Sequence, residues 1–516
     1  MLLAAGLVAA AALALVSARA SLTPDSQALA RIGLPLGGGR VQSLVAVSGP
    51  HSTRVPVVLR GARIWPRGTV AAGQRVSIDV VLRRPGWISW LAGSTERLHL
   101  SVLAPSSHLA EDYVTLAAAA PLTLYFSHPV RIVAYGPTAA SLTRHRLPRP
   151  ASDLTIPRTT PAGSMWVSAV PRSWETARAQ PVSWFPAGAA TAAVATPAPG
   201  SVIGPTTPIR LSFAKPVAQA LGSSMPPVSP VTAGVWRVLD SHTIVFAPTG
   251  YGYGLGANVT IGLPAGVQLV GGNSNGRSDN GTWTVPAGST LRLQQLLAML
   301  GYLPLRFTYS GARPAASLTA EESAALHPPA GTFAWRYGNV PAALRSMWQP
   351  EAAGVMTRGA VMAFENDQGL TADGVAGPQV WRSLIGAALA GRGSTFGYTF
   401  VTVDKASQHL TLWHSGHSIL TTLVNTGIAQ APTVSGTFPV YEHIRSGTMS
   451  GTNPDGSHYN DPGIQYISYF NGGDALHAFT RAQYGFPQSL GCVEMALGPA
   501  GQVWPYTPIG TLVHVA

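Results

Sequence analysis

The chain has one cysteine in 516 residues, Cys492, so no intramolecular disulfide can brace it. Lysine is nearly absent too: Lys215 and Lys405 are the only ones, and arginine carries almost all the basic charge. Charged residues make up 10% of the chain, against roughly a quarter in ordinary globular proteins. Beyond residue 20 no apolar run is long enough to span a bilayer, which excludes later membrane-spanning helices. No basic run interleaves with aromatics, so the net charge of +12 does not read as nucleic acid binding. It reads as a sparse, scattered excess of arginine, the alternative being a preference for anionic partners such as acidic lipid or phosphate-bearing wall polymers.

What is abundant is glycine (56) and proline (43), the punctuation of turns and short strands. A chain of this length exceeds a single core, and three to four domains are expected. Its first residues, "MLLAAGLVAAAALALVSARA", are an apolar run of 16 closed by Ala18-Arg19-Ala20, like a signal-peptidase site, although no Lys or Arg precedes the run. Residues 1–20 are read as a signal peptide or a retained membrane anchor, which places the body outside the cytoplasm, at the cell wall or cell surface. Exported proteins usually pair their cysteines. A solitary thiol there is read as a reactive group rather than the remnant of a disulfide framework.

Residues 21–145 carry runs such as "QRVSIDVVL" and "ERLHLSVLAP" and predict a β-sandwich-like domain. Residues 146–190, rich in Pro, Ala, Ser and Thr, read as a linker. In 191–286, "FAKPV" followed by "HTIVFAP" resembles the bacterial Ig-like domains of exported proteins, a spacer or docking module. From Ser289, Leu293, Leu296, Leu297 and Leu300 fall at helical spacing with Gly301 as a stop, and "VPAALRSMW" and "TRGAVMAFEND" predict further helices. "LAMLGYLP", "TRGAVMAFE" and "DGVAGPQVWRSL" together resemble the three-helix peptidoglycan-binding domain of wall enzymes over 289–392, with a long insert at about 305–335. That resemblance implies a peptidoglycan partner. A helical spacer that binds nothing is the alternative.

The last 120 residues turn to β-pattern, with "HSGH" as a hairpin turn, and end in "NGGDALHAFTRAQYGFPQSLGCVEM". A thiol of pKa about 8.5 is mostly protonated at neutral pH, and a histidine that removes the proton turns it into an acyl-transfer nucleophile. His477, fifteen residues before Cys492, is the nearest upstream histidine. Gly491 leaves the backbone beside the sulfur uncovered, so the N–H groups of Gly491 and Cys492 are candidate oxyanion donors. Ser489 paired with His477 is a poorer nucleophile pair, because no Asp in a recognisable pattern orients the base. His409, His414 and His417 lack the acidic or cysteine partner that a metal set requires.

"VSGTF", a "VDKASQHL" strand, and His477 followed after fourteen residues by Cys492 in "SLGCVEM" resemble the L,D-transpeptidase catalytic domain (YkuD type) over 397–516. The resemblance implies a multidomain protein: N-terminal all-β Ig-like domains, a small three-helix peptidoglycan-binding domain and a C-terminal mainly-β catalytic domain. It casts Cys492 as nucleophile, His477 as general base, and Ser489 and Gly491 as the small residues before the nucleophile. A backbone carbonyl near Ala478 would orient the histidine. Tyr459 matches a tyrosine that supports oxyanion or substrate, with Tyr466 and Tyr469 as alternatives. The implied reaction releases D-Ala from tetrapeptide stems through a cysteine thioester and forms 3→3 cross-links between peptidoglycan stems. It needs no metal or organic cofactor, and carbapenems would acylate the same cysteine. Three positions depart from the family: Ala478 stands where Gly is common, Leu490 where His is, and Glu494 where Arg or Asn is. Glu494 would raise the thiol pKa if the two groups face each other. Competing readings are an L,D-carboxypeptidase using water, a non-catalytic wall-binding or scaffolding protein, and a sortase, which lacks its arginine after the cysteine here.

Overall fold

The computed structural model describes residues 19–34, 39–158, 160–188, 190–270 and 281–516. All but the last two residues of the expected signal or anchor lie outside the described residues. Strands Ser21–Pro24, Ala30–Gly33, Arg63–Pro66 and Val57–Arg60 form one sheet, and Thr53–Arg54, Arg40–Ser48, Arg75–Arg83 and Thr95–Leu103 form another. Alternation along Arg75–Arg83 turns Val76, Ile78, Val80 and Leu82 inward, where they pack with Leu29 and Ile64 between the sheets.

The Pro-rich segment expected as a linker at 146–190 is instead part of a five-stranded sheet. Its order is Tyr113–Leu116, Gln180–Pro186, Gly163–Val170, Leu122–Gly136 and Thr143–Ile156. The expected boundary at 145 therefore falls inside the strand Thr143–Ile156. Composition misled here because two of the segment's prolines sit where the ladder is interrupted. Val130 pairs with Ala151 and Ile132 with Arg146, so Pro148 and Pro150 fall in the irregularity between those pairs. Strands from Thr191–Thr196 to Thr282–Thr284 form a further sandwich, a five-stranded and a three-stranded sheet around Phe213, Phe246 and Trp283.

The mid-chain region is helical. Helices α1 (Thr290–Met299), α2 (Leu318–Leu326), α3 (Ala342–Ser346), α4 (Val355–Asp367) and α5 (Pro378–Ala390) surround Leu296, Leu297, Phe364, Trp381 and Leu384. The insert holds α2 and a hairpin of Leu305–Tyr309 with Gly331–Trp335. Arg292 of α1, fully buried, donates to Glu321 of α2 at 2.6 Å and to Gln295 and Tyr309, which ties the insert to the bundle.

The C-terminal region packs two sheets. One has the order β3 (His417–Leu423), β2 (His409–His414), β1 (Thr399–Asp404), β9 (Leu512–Val515) and β4 (Gly436–Pro439). The other has β5 (Glu442–Thr452), β6 (His458–Asn471), β7 (Asp474–Ala478) and β8 (Val493–Met495) in sequence order. Helix α6 (Leu497–Val503) follows β8. The helical core continues into this region, because Phe400, Trp413 and Leu512 belong to the same buried cluster as Leu296 and Trp381. At that joint α4 meets the loop before β9 backbone to backbone: a Cβ on Gly359 would lie 2.7 Å from the Gly510 carbonyl oxygen.

Candidate active site

Strands β7 and β8 are parallel, with Leu476 opposite Val493, His477 opposite Glu494 and Ala478 opposite Met495. The parallel pairing forces residues 479–492 to cross back over the sheet, which delivers Cys492 to the start of β8. Leu476, Ala478, Val493 and Met495 enter the main core between the sheets. Strand alternation then turns Ala475, His477, Cys492 and Glu494 to the other face. There Ala475 and Cys492 pack with Ile464 and Ile467 of β6 and with Tyr469. The fold thus brings the thiol and the imidazole to one face of two adjacent strands.

His477 is 2% exposed, and its Nδ1 lies 3.0 Å from the Ala478 carbonyl oxygen. A carbonyl only accepts, so Nδ1 carries the proton and Nε2 is the basic nitrogen. Burial lowers the histidine pKa below its ordinary value, so the ring is neutral and able to take a proton. The Cys492 thiol points to the Gly473 carbonyl oxygen at 3.6 Å. Its pKa is pushed up to about 12, first by burial and further by the Asp474 and Glu494 carboxylates, while the Ala475 N–H opposes the rise. No hydrogen bond joins Cys492 to His477 among the described residues. The resting pair is therefore thiol and neutral imidazole, and not a preformed ion pair.

Glu494 does not confront the sulfur alone. Both of its oxygens accept from Arg481, at 2.8 Å from Nε and 2.7 Å from Nη2. The same guanidinium lies 4.4 Å over the Phe479 ring, which meets His477 edge to face at 6.0 Å. Glu494 therefore raises the thiol pKa as expected of a carboxylate on the same face, but Arg481 partly answers its charge and Asp474 has the larger effect on Cys492.

Gly491 has φ +115°, and a Cβ there would collide with Asp474 Oδ1, so only glycine fits. Its N–H donates to Ser489 Oγ at 3.3 Å, and the Ser489 hydroxyl donates to the Cys492 carbonyl oxygen. This corrects the expected pair of oxyanion donors, because the Gly491 N–H is held inside the turn. Ser489, 2% exposed, fixes that turn. Tyr459 and Tyr469 of β6 lie close enough to Cys492 for its charge to raise their pKa values, and Tyr441 does too. Tyr466 faces away, against Trp504 and under Arg445. A cleft of about 370 Å³ opens beside Ala478, walled by Asp461, Gly463, Ile464, Gln465, Phe479 and Thr480.

Asp474, Arg481 and Tyr441 were not singled out in the sequence. Asp474 and Arg481 flank His477 at three residues before and four after, which is the only hint the sequence holds.

Residues 398–515 match the model of the L,D-transpeptidase catalytic domain, and 351–384 that of the putative peptidoglycan binding domain. The chain carries an L,D-transpeptidase catalytic domain, of a cysteine-dependent acyltransferase family, preceded by a peptidoglycan-binding domain. Among solved structures, the catalytic domain of the Enterococcus faecium L,D-transpeptidase is 27% identical and covers 23% of this chain and 96% of that one, with a TM-score of 0.22. An L,D-transpeptidase from Mycobacterium smegmatis is 12% identical over 62% of this chain and 96% of that one, with a TM-score of 0.21. One from Mycobacterium tuberculosis is likewise 12% identical, over 62% and 96%, with a TM-score of 0.20. No curated protein matches the chain.

Proposed function

We propose that this protein is an exported L,D-transpeptidase that forms 3→3 cross-links in peptidoglycan. The observation that carries the reading is the shared face of Cys492 and His477 on β7 and β8, with His477 Nδ1 committed to Ala478 and Nε2 left as base. Nε2 takes the proton of Cys492 as the sulfur attacks the carbonyl between the third stem residue, a diamino acid, and the terminal D-Ala. The Cys492 N–H has no acceptor among the described residues and is the backbone donor for the oxyanion. Tyr459, Tyr469 and Tyr441 enclose the reacting centre from β6 and the start of β5. D-Ala leaves with the proton from His477, and a thioester remains. The side-chain amine of a neighbouring stem then attacks it, forming the amide and returning the thiol.

The cleft beside Ala478 and Phe479, the residues that follow His477 in the chain, is the candidate groove for a short stem peptide, its volume suiting one. The peptidoglycan-binding domain holds glycan and stem peptides near the site, and the N-terminal segment directs the chain to the wall or cell surface. No cofactor takes part in these steps. The test is mass spectrometry of the products formed from a disaccharide-tetrapeptide. A dimer whose fragments place the bond between two diamino acids supports the reading. D-Ala release with no dimer would make the enzyme an L,D-carboxypeptidase, and neither product would leave a wall-binding protein.

A further inference from the structure

Asp474 is a carboxylate that the reaction described so far does not use. It opens β7, is half-buried, and has no salt bridge among the described residues. Its Oδ2 has only two long contacts, 3.4 Å from Val434 N and 3.5 Å from Asn471 Nδ2. Oδ1 lies against the Cα of Gly491, the residue before the nucleophile, in the space a side chain at 491 would occupy. The basic residue nearest the site in sequence, Arg481, is already held by Glu494. An anion placed beside the thiol and the Cys492 N–H hinders the first half of the reaction, because it opposes both thiolate and oxyanion. Burial with so few partners adds a further cost. Such a group is offset only if a cation meets it later in the cycle.

We propose that Asp474 is the acceptor-positioning residue, binding the side-chain ammonium of the incoming stem beside the Cys492 thioester. The inference rests on the transpeptidase reading. It assigns acceptor specificity, a cationic primary amine, to one carboxylate. The ammonium docks on Asp474 and gives one proton to solvent. The freed amine attacks the thioester carbonyl carbon, the C–S bond breaks, and its second proton passes through neutral His477 to the Cys492 sulfur. Asp474 itself exchanges no proton. The arrangement favours aminolysis over hydrolysis because it raises the amine concentration where the thioester forms.

The experiment compares wild type with Asp474→Asn, which keeps size and an acceptor oxygen for Val434 N–H. Total D-Ala release, dimer formation and hydrolysed tripeptide are measured with tetrapeptide stems, and then with hydroxylamine, a nucleophile uncharged at neutral pH, as acceptor. The expected result is first-turnover D-Ala release kept or raised in Asp474→Asn, with the dimer-to-hydrolysis ratio down about tenfold, the size of one lost charged hydrogen bond. Hydroxylamine capture should be unchanged. An unchanged dimer-to-hydrolysis ratio would overturn the inference, as would an equal loss with both acceptors, which marks a merely structural role. Absence of D-Ala release from wild type would instead overturn the transpeptidase reading, and this inference with it.

Discussion

At the scale of single residues, the thiol of Cys492 is held protonated by burial and by Asp474, and His477 is held neutral by burial. Alkylation of Cys492 by iodoacetamide should therefore be slow at pH 7 and rise about tenfold per pH unit toward a midpoint near 12. A sigmoid centred near the free-thiol value of 9.0 would contradict it. The sign for stability follows: a thiol pKa raised on folding contributes stability that is present below pH 9.0 and lost as pH rises toward about 12. Cys492→Ala should flatten that alkaline loss. Arg481→Met strands the buried Glu494, so chemical denaturation should show a loss of about 3 kcal/mol and alkylation should slow further as the freed carboxylate acts on the sulfur. Unchanged alkylation would mean that Arg481 does not shield the site. The candidate nucleophile and base were legible in the sequence because both lie in short motifs whose residue types carry the proposed chemistry. Asp474 and Arg481 were not, because their contacts depend on the parallel register of β7 and β8 and on the path of residues 479–492.

At the scale of elements, buried carboxylates set a pH dependence outside the candidate site. Glu365 of α4 accepts from Gly374 N–H at 2.8 Å, while its other oxygen is buried without a partner, and burial pushes its pKa up to about 7. A raised carboxyl pKa means that stability falls as pH rises from the free value of 4.5 toward about 7. Thermal melts of Glu365→Gln should show a smaller drop over that range than wild type. An identical drop would place the dependence elsewhere, Glu175 being another carboxyl raised to about 7. The leucine spacing of α1 was readable because Leu293, Leu296 and Leu297 all enter one core. The strand Thr143–Ile156 was not, because its prolines mimic a linker while sitting in a register irregularity.

At the scale of the whole molecule, the helical and catalytic regions share one buried cluster, and Gly359 and Gly510 let their backbones touch. Gly359→Val should wedge this joint open at a cost of about 1–3 kcal/mol in denaturation, and dimer yield should fall if wall binding and catalysis act as a unit. Full stability in this variant would contradict the close approach. The sequence announced both regions by motif but gave no sign of their joint, since a close approach of two glycines depends on how separate elements dock. In the proposed reaction Cys492 carries the acyl group. Intact-mass spectrometry of the full chain, quenched during turnover of a disaccharide-tetrapeptide, tests it most directly. The expected result is an adduct on Cys492 equal to the stem minus D-Ala, absent from Cys492→Ala. D-Ala release by Cys492→Ala, or turnover with no adduct on Cys492 in wild type, would contradict it.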